Sequence, residues 1–387
     1  MRCCSEKEKQ KGISCDMKKA AIITLYGNYN FGNKLQNYAL QAVLEDYGFE
    51  VETLIFSSAK SDRASVGLSD KFKKKIKKIN YRTIKRKINS LIYRAEIKKI
   101  KRLRESKFKD FSDKYICTRY ISDSCELSIL SQEFDCFVIG SDQVWNPEYI
   151  NSFEWSFALF ANESQRIVYA ASLGVDKIPE RYLPQFTKSL QGLKNISLRE
   201  EQAKIILWEQ CHVDSTVVLD PTLLISKERW EKLIDCSQKE KPYILTYFLG
   251  GNTKYPQSEI NNMCRNKTWE IIDFNSLRNN MNYISGPVEF LKYIKGARLI
   301  LTDSFHGAVF SIIFHTPFVV FKRDNQESGM YQRLEQLLNT FHLMQRQYCT
   351  GTALNAYLTC DFMETEKILY RMREKSLKYL EDAIKSV

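Results

Sequence analysis

Short runs of apolar, largely β-branched residues alternate along most of the chain with stretches in which apolar positions recur every three or four residues. The runs predict buried strands at 19–25, 51–56, 134–140, 166–171, 196–198 and 217–219, and again at 243–248, 269–273, 299–301 and 318–321. The periodic stretches predict helices. One carries Leu35, Tyr38, Ala39, Ala42, Val43 and Leu44 and stops at Gly48; others span about 180–192, 200–209 and 363–384. Strands that alternate with helices predict an α/β fold with parallel sheets. Two such series, joined near 222–240, predict two Rossmann-like domains facing across a cleft, over 17–230 and 231–387, the second ending in a C-terminal helix. No short-period repeat or low-complexity linker interrupts them.

The segment 299–321, LILTDSFHGAVFSIIFHTPFVVF, is the most informative part of this pattern. A buried strand ends in Thr302-Asp303-Ser304, a helix opens at Phe305-His306-Gly307 and closes before Pro317, and another strand follows. Open α/β sheets bind ligands outside the carboxyl ends of their strands, beside helix N-termini. His306 therefore sits where a histidine could do proton chemistry on an anionic substrate, or could simply cap its helix with Asp303 or Ser304 as N-cap. His315, at the helix end, is expected to pack. A membrane span is disfavoured, because Asp303, His306 and His315 fall inside the segment and Pro317 breaks it.

Composition narrows the class. The chain has 387 residues, enough for two substantial cores, and 44% hydrophobic content, ordinary for a globular protein. The first residues carry Arg2, Glu6, Lys7, Glu8 and Lys9 without a signal-like apolar stretch, so a cytoplasmic location is expected. Met17-Lys18-Lys19 looks like a natural start, and residues 1–16 are expected to be a disordered extension. The 11 cysteines show neither CxxC pairs nor metal spacing, which suggests reduced thiols and no zinc.

The net charge of +12 is concentrated in one place. Residues 71–109 hold eighteen Lys or Arg against Glu96 and Glu105, a local balance of +16 that leaves −4 for the rest of the chain. Ile76, Ile79, Ile84, Ile88, Leu91, Ile92, Ala95, Ile97, Ile100 and Leu103 recur near helical spacing, so an insertion at about 60–115 reads as basic amphipathic helices. A solvated helical hairpin and peripheral contact with an anionic membrane both remain open. No recognition motif accompanies the charge, so nucleic acid is not an expected partner.

Polar residues gather after four predicted strands. Tyr26 to Gln36, YGNYNFGNKLQ, brings glycines and Asn30, Gly32 and Asn33 to a helix N-terminus, where a tight turn is the plain alternative. Gly140 to Pro147, GSDQVWNP, offers Ser141, Asp142, Gln143 and Asn146 as substrate contacts. Arg199, in SLRE, could clamp a carboxylate or phosphate, or pair with Glu200 or Glu201. The fourth cluster is Ser304–Gly307. No group has metal-ligand spacing, so no metal or other cofactor is expected.

Taken in order and spacing, NYNFGNKLQNYALQ, GSDQVWNP, SLRE, VVLDPTLL and TDSFHGAVFSIIFHTPF resemble the polysaccharide pyruvyl transferase family from about Met17 to Phe341. The resemblance implies a GT-B-like fold and transfer of a pyruvyl group, as a ketal, from phosphoenolpyruvate to a sugar of a capsular or exported polysaccharide precursor, expected to be lipid-linked. It implies that His306 matches the family's proposed catalytic histidine and Arg199 an arginine that binds the donor. Several branches carry an arginine two residues before the histidine, where this chain has Ser304. Ser304 and Gly307 then belong to the donor site, with Lys322 or Arg323 supplying the missing cation. A nucleotide-sugar glycosyltransferase and an inactive scaffold in glycan assembly remain alternatives. Ketal chemistry needs an acid/base near neutral pH, an anion clamp and hydroxyl-binding groups, and the four clusters contain all three.

Overall fold

In a computed structural model, the structure describes residues 17–27, 29–56, 81–122, 124–234, 241–250, 253–276, 280–323 and 328–387. The expected extension at 1–16 and the basic cluster at Lys73, Lys74, Lys75, Lys77 and Lys78 lie outside them.

The first half runs β1 (Lys19–Ile23), α1 (Phe31–Asp46), β2 (Glu50–Phe56), α2 (Tyr81–Tyr115), β3 (Thr118–Ile121), α3 (Leu127–Glu133) and β4 (Cys136–Ile139). It continues through α4 (Phe153–Ser156), β5 (Arg166–Ala171), α5 (Leu183–Leu190), β6 (Asn195–Leu198), α6 (Glu201–Cys211) and β7 (Thr216–Val217) to α7 (Lys227–Glu231). The second half runs β8 (Tyr243–Tyr247), α8 (Gln257–Lys267), β9 (Glu270–Asp273), α9 (Asn280–Tyr283), α10 (Pro287–Gly296) and β10 (Leu299–Thr302). It closes with α11 (Phe305–Phe314), β11 (Phe318–Val320), α12 (Ser328–Thr340) and α13 (Met363–Lys385).

The strands form a seven-stranded sheet, ordered β3-β2-β1-β4-β5-β6-β7, and a four-stranded sheet, ordered β11-β10-β8-β9, with every strand pair parallel. The two-sheet α/β architecture expected from the sequence is present. In each sheet the strand order reverses once, between β1 and β4 and between β8 and β10, and at those reversals the helices diverge to leave a crevice. Strand β3 escaped the sequence reading because TRYI, in an edge strand, is mostly half-buried or exposed and lacks an apolar run.

One apolar core joins the halves. Phe31, opening α1, stacks on Phe290 of α10 at 4.5 Å and meets Phe108, Phe274 and Tyr247 edge-on or tilted. Helix α13 also crosses back to the first sheet. Tyr379 donates to the Val168 carbonyl (3.3 Å), and Ser376 Oγ accepts from Leu219 N (3.0 Å). An apolar seam of this kind holds two domains in a defined relation more firmly than a polar one.

The basic segment differs from the expected stripe. From residue 81 onward it is one helix. From residue 93 on its buried positions are Ile100, Arg104, Phe108, Phe111 and Ser112, whereas Ala95 and Leu103 are exposed. Arg104 lies over the rings of Phe31 and Tyr283 and donates to the Tyr283 carbonyl (3.1 Å), so the C-terminal part of α2 wedges into the seam between the halves. Of the rest of the expected stripe, Ile97 is half-buried. Among the described residues, no helix is long and apolar enough to cross a membrane.

Candidate active site

The loops after β1, β4, β8 and β10 converge on one cavity of about 380 Å³, so both sheets contribute their reversal points to a single crevice. Tyr26, Gly27, Asn30, Asn33, Asp142 and Gln143 line it from the first half. Leu249, Asp303, Ser304, Phe305, His306, Arg323 and Arg333 line it from the second.

Hydrogen bonds fix the first-half loops. Asn30 caps α1 by accepting from Asn33 N (3.4 Å), and Asn33 Oδ1 accepts from Gly27 N (3.1 Å). Gln36 bridges the loops, donating to Thr24 Oγ1 (3.1 Å) and accepting from Ser141 N (3.2 Å). Ser141 itself is fully buried and donates to the Ala170 carbonyl (3.0 Å), so it shapes the wall without lining it. Asn146 is likewise buried, accepting from Glu148 N (3.0 Å). Asp142 follows with φ of 63°, a left-handed conformation that aspartate tolerates better than most residues.

Below the cavity floor lies a buried charge cluster centred on Arg199. Its guanidinium donates to Asp220 Oδ2 (2.8 Å), Glu200 Oε1 (3.0 Å) and Asp142 Oδ1 (3.4 Å) and lies 4.8 Å from the centre of the Phe305 ring. Asp220 also accepts from the backbone N and hydroxyl of Thr222 (3.0 and 2.6 Å). Burial pushes both aspartates up, but the opposing charges win. Arg199, with His306 and Arg333, holds Asp142 below the usual carboxylate range. The His306 imidazole, Arg199 and the Thr222 hydroxyl hold Asp220 far below it. The same carboxylates overcome desolvation to raise the Arg199 pKa above its ordinary value.

His306 occupies the first turn of α11. Ser304 is the N-cap, accepting from Gly307 N (3.3 Å), and Ser304 N donates to Thr302 Oγ1 (3.0 Å). His306 Nε2 is enclosed, has no hydrogen-bond partner among the described residues and faces Asp220 Oδ2 at 3.6 Å. The other side of the ring lies against α1 of the first half. A Cβ on Gly32 would fall 1.9 Å from Nδ1, 2.2 Å from Cγ and 2.4 Å from Cε1. Gly32 is thus the spacer that admits the ring. His315 ends the same helix, pairs with Glu366 (2.9 Å) and stacks on Phe362, the packing role expected of it.

Asp303 anchors the opposite wall. Its oxygens accept from Leu249 N (2.6 Å), Gly250 N (2.9 Å), Thr253 Oγ1 (2.8 Å) and Arg323 Nε (2.9 Å). Arg323 is held at the cavity by this pair, whereas Lys322 is exposed, with its ammonium 5.4 Å from the Tyr331 ring centre, and is not in the lining. Gly307 packs against Thr302 beneath the cap. Among the described residues, no group of three or more His, Cys, Asp or Glu side chains is placed to hold a metal ion.

Sequence reasoning missed Arg333. It projects from α12 into the cavity, 8% exposed, and the Gln143 amide oxygen turned toward it accepts from both terminal nitrogens (2.9 and 3.1 Å). Burial, reinforced by Arg199, pulls its pKa below the ordinary arginine value. No local motif marks it, because only the packing of α12 against the first half brings it to the site. Asp220 stood in a quoted motif, VVLDPTLL; its position after a strand end was the available signal.

The sequence profile described as polysaccharide pyruvyl transferase matches residues 30–325. No curated protein matches the chain. Similar solved structures include UDP-GlcNAc 2-epimerase from Methanocaldococcus jannaschii (12% identity, 92% of this chain and 100% of that one, TM-score 0.42). A glycosyltransferase from Rickettsia africae is also similar (12% identity, 95% and 98% coverage, TM-score 0.41), as is ADP-heptose LPS heptosyltransferase II from E. coli (11% identity, 95% and 98% coverage, TM-score 0.35).

Proposed function

The chain belongs to the polysaccharide pyruvyl transferase family, and on that premise we propose that it moves the pyruvyl group of phosphoenolpyruvate onto two hydroxyls of a sugar, forming a ketal and releasing phosphate. The observation that carries this reading is the family match over 30–325, which takes in Asp142, Arg199, Asp220, His306 and Arg323.

The chemistry assigns roles to side chains that meet at the cavity. A proton from the His306 imidazolium adds to the methylene carbon of the enol phosphate, and positive charge develops at the adjacent carbon. A sugar hydroxyl attacks that carbon and returns its proton to the imidazole. Attack by the second hydroxyl then breaks the bond to phosphate, which leaves with the last proton. Acid–base groups of this kind are worth about 10²–10⁴ in rate. Arg323 and Arg333 face the cavity and suit the donor's carboxylate and phosphate. Arg199 is 2% exposed and committed to three carboxylates, so its role is to hold Asp142 and Asp220 in place. Asn30, Asn33, Asp142 and Gln143 suit sugar hydroxyls, with Tyr149 at the rim.

The acceptor we favour is a lipid-linked glycan of a capsular or exported polysaccharide at the cytoplasmic face of a membrane. The exposed basic residues of α2, among them Lys98, Lys99, Lys101 and Arg102, would hold the enzyme there. Incubation with phosphoenolpyruvate and a panel of diol-bearing glycans should release phosphate and yield a pyruvate ketal detectable by mass spectrometry. Arg333→Gln should raise the KM for the donor. Folded enzyme that is stabilised by nucleotide sugars and modifies no glycan with phosphoenolpyruvate would overturn the reading.

A further inference from the structure

We propose that Asp220 is a positioning residue that fixes the tautomer of His306, so that Nε2 carries the ring hydrogen and Nδ1 is the nitrogen that exchanges protons with substrate. The argument rests on geometry from three separate elements.

Nε2 is enclosed, and the group it faces is Asp220 Oδ2 at 3.6 Å. That oxygen belongs to a carboxylate fully enclosed between Arg199 and Thr222. An ionised carboxylate only accepts hydrogen bonds. A lone pair on Nε2 would therefore set two acceptors against each other inside the protein, whereas an Nε2–H turns the same approach into attraction. At 3.6 Å the pair stands slightly beyond hydrogen-bond length but within ion-pair range, where an Nε2–H is attracted to the carboxylate and a lone pair is repelled.

The second observation concerns Nδ1. The volume that a side chain at position 32 would occupy is taken up by the imidazole, Nδ1 foremost, because Gly32, on the opposite half of the molecule, has no Cβ to contest it. The ring is thus braced at Nε2 by the segment after β7 and seated at Nδ1 beside the N-terminus of α1, in the cavity lining. With Nε2 enclosed and carrying the hydrogen, Nδ1 is the nitrogen left to exchange protons. The other charged groups near the ring are Asp142 after β4, Arg199 after β6, Arg333 on α12, and the Asp303–Arg323 pair after β10 and β11. None of these is the group that faces Nε2, so the tautomer is assigned to Asp220 alone. The function of Arg199 follows, because its bond at 2.8 Å holds the Asp220 oxygen that faces the ring.

The tautomer does not depend on what the substrate is; only the use of Nδ1 in proton transfer rests on the pyruvyl-transfer reading. The test is ¹⁵N NMR of protein labelled at histidine, without substrate, at about pH 9, above the ordinary imidazole range. The chain has 4 histidines, and His306→Gln identifies the signals of interest. The expected result is the tautomer with the hydrogen on Nε2 of His306, and in Asp220→Ala a shift of the population toward Nδ1–H. A neutral wild-type ring with its hydrogen on Nδ1 would overturn the proposal, and so would an unchanged tautomer in a folded Asp220→Ala protein. The wild-type spectrum alone decides the matter if that variant does not fold. In turnover, Asp220→Ala should lower kcat by about 10-fold or more with a smaller change in donor KM, the split expected when a group acts through the acid rather than on the donor.

Discussion

Gly32→Ala probes the site through one methyl group. The new Cβ would lie 1.9 Å from His306 Nδ1, about 1.5 Å short of the 3.4 Å at which ordinary contact begins. Cγ and Cε1 are overlapped as well, at 2.2 and 2.4 Å, so turning the ring in its own plane cannot clear the clash. The imidazole must swing to another χ1 well or move bodily away. A displacement of about 1 Å at a reacting group can cost about 100-fold in rate, and kcat should fall by that order. Folding should survive, because Ala is favoured over Gly inside a helix by about 1 kcal/mol, which offsets part of the strain. The assay is steady-state phosphate release alongside thermal melting. A Gly32→Ala protein with unchanged kcat would refute the claim that this glycine exists to seat His306.

Three further outcomes follow from the charge distribution. Arg199→Gln leaves Asp142, Glu200 and Asp220 buried without their common cation, and breaking such a cluster costs about 3–5 kcal/mol. Both aspartates have depressed pKa values in the fold, so the stability they lend is present at neutral pH and lost on acidification. Denaturant titrations should therefore show a deficit at pH 7 that narrows as pH falls below 4, and equal stability at pH 7 would contradict the structural role given to Arg199. Lys34 is fully buried on α1 with its ammonium 3.1 Å from the Tyr26 ring centre, and burial lowers its pKa to about 7. The unfolded chain binds more protons than the fold between pH 7 and the ordinary lysine range, so stability attributable to this group rises with pH there. Lys34→Met should be more stable than wild type at pH 6, by at most about 5 kcal/mol, with the advantage shrinking toward pH 10; a constant difference would refute it. Finally, co-sedimentation with anionic vesicles should be strong at low salt, weaken at 1 M where the Debye length is about 3 Å, and fall when Lys98, Lys99, Lys101 and Arg102 are changed to Gln. Salt-independent sedimentation would argue against electrostatic docking by α2.

The sequence carried the parts of this molecule that are local. Buried parallel strands are continuous apolar runs, so ten of the eleven strands among the described residues could be read directly, and the half-exposed TRYI strand was missed. Helix α11 was legible to within a few residues because Ser304 and Pro317 mark its ends. Long-range relations were illegible. Nothing near Arg333 or Arg104 says that one enters the cavity while the other seals the seam between halves, since both depend on the packing of distant helices. Arg199 illustrates a subtler limit: a strand-end arginine that could pair with Glu200 was evident, but its partners at 142 and 220 were not, and the three carboxylates together consume the fork that a donor would have used. Gly32 was noticed for its backbone freedom, whereas the structure shows that its importance is the space it leaves for a ring 274 positions away.

The central claim is that His306 delivers a proton to the methylene carbon of phosphoenolpyruvate as the ketal forms, and isotope incorporation tests it most directly. The reaction is run in D₂O with a diol-bearing glycan, and the product is read by mass spectrometry and ¹³C NMR. The account predicts a pyruvate ketal whose methyl group carries a single deuterium, formed by wild type and lost in His306→Ala protein that remains folded. Undiminished ketal formation by the His306→Ala protein, or a ketal methyl without deuterium, would contradict it.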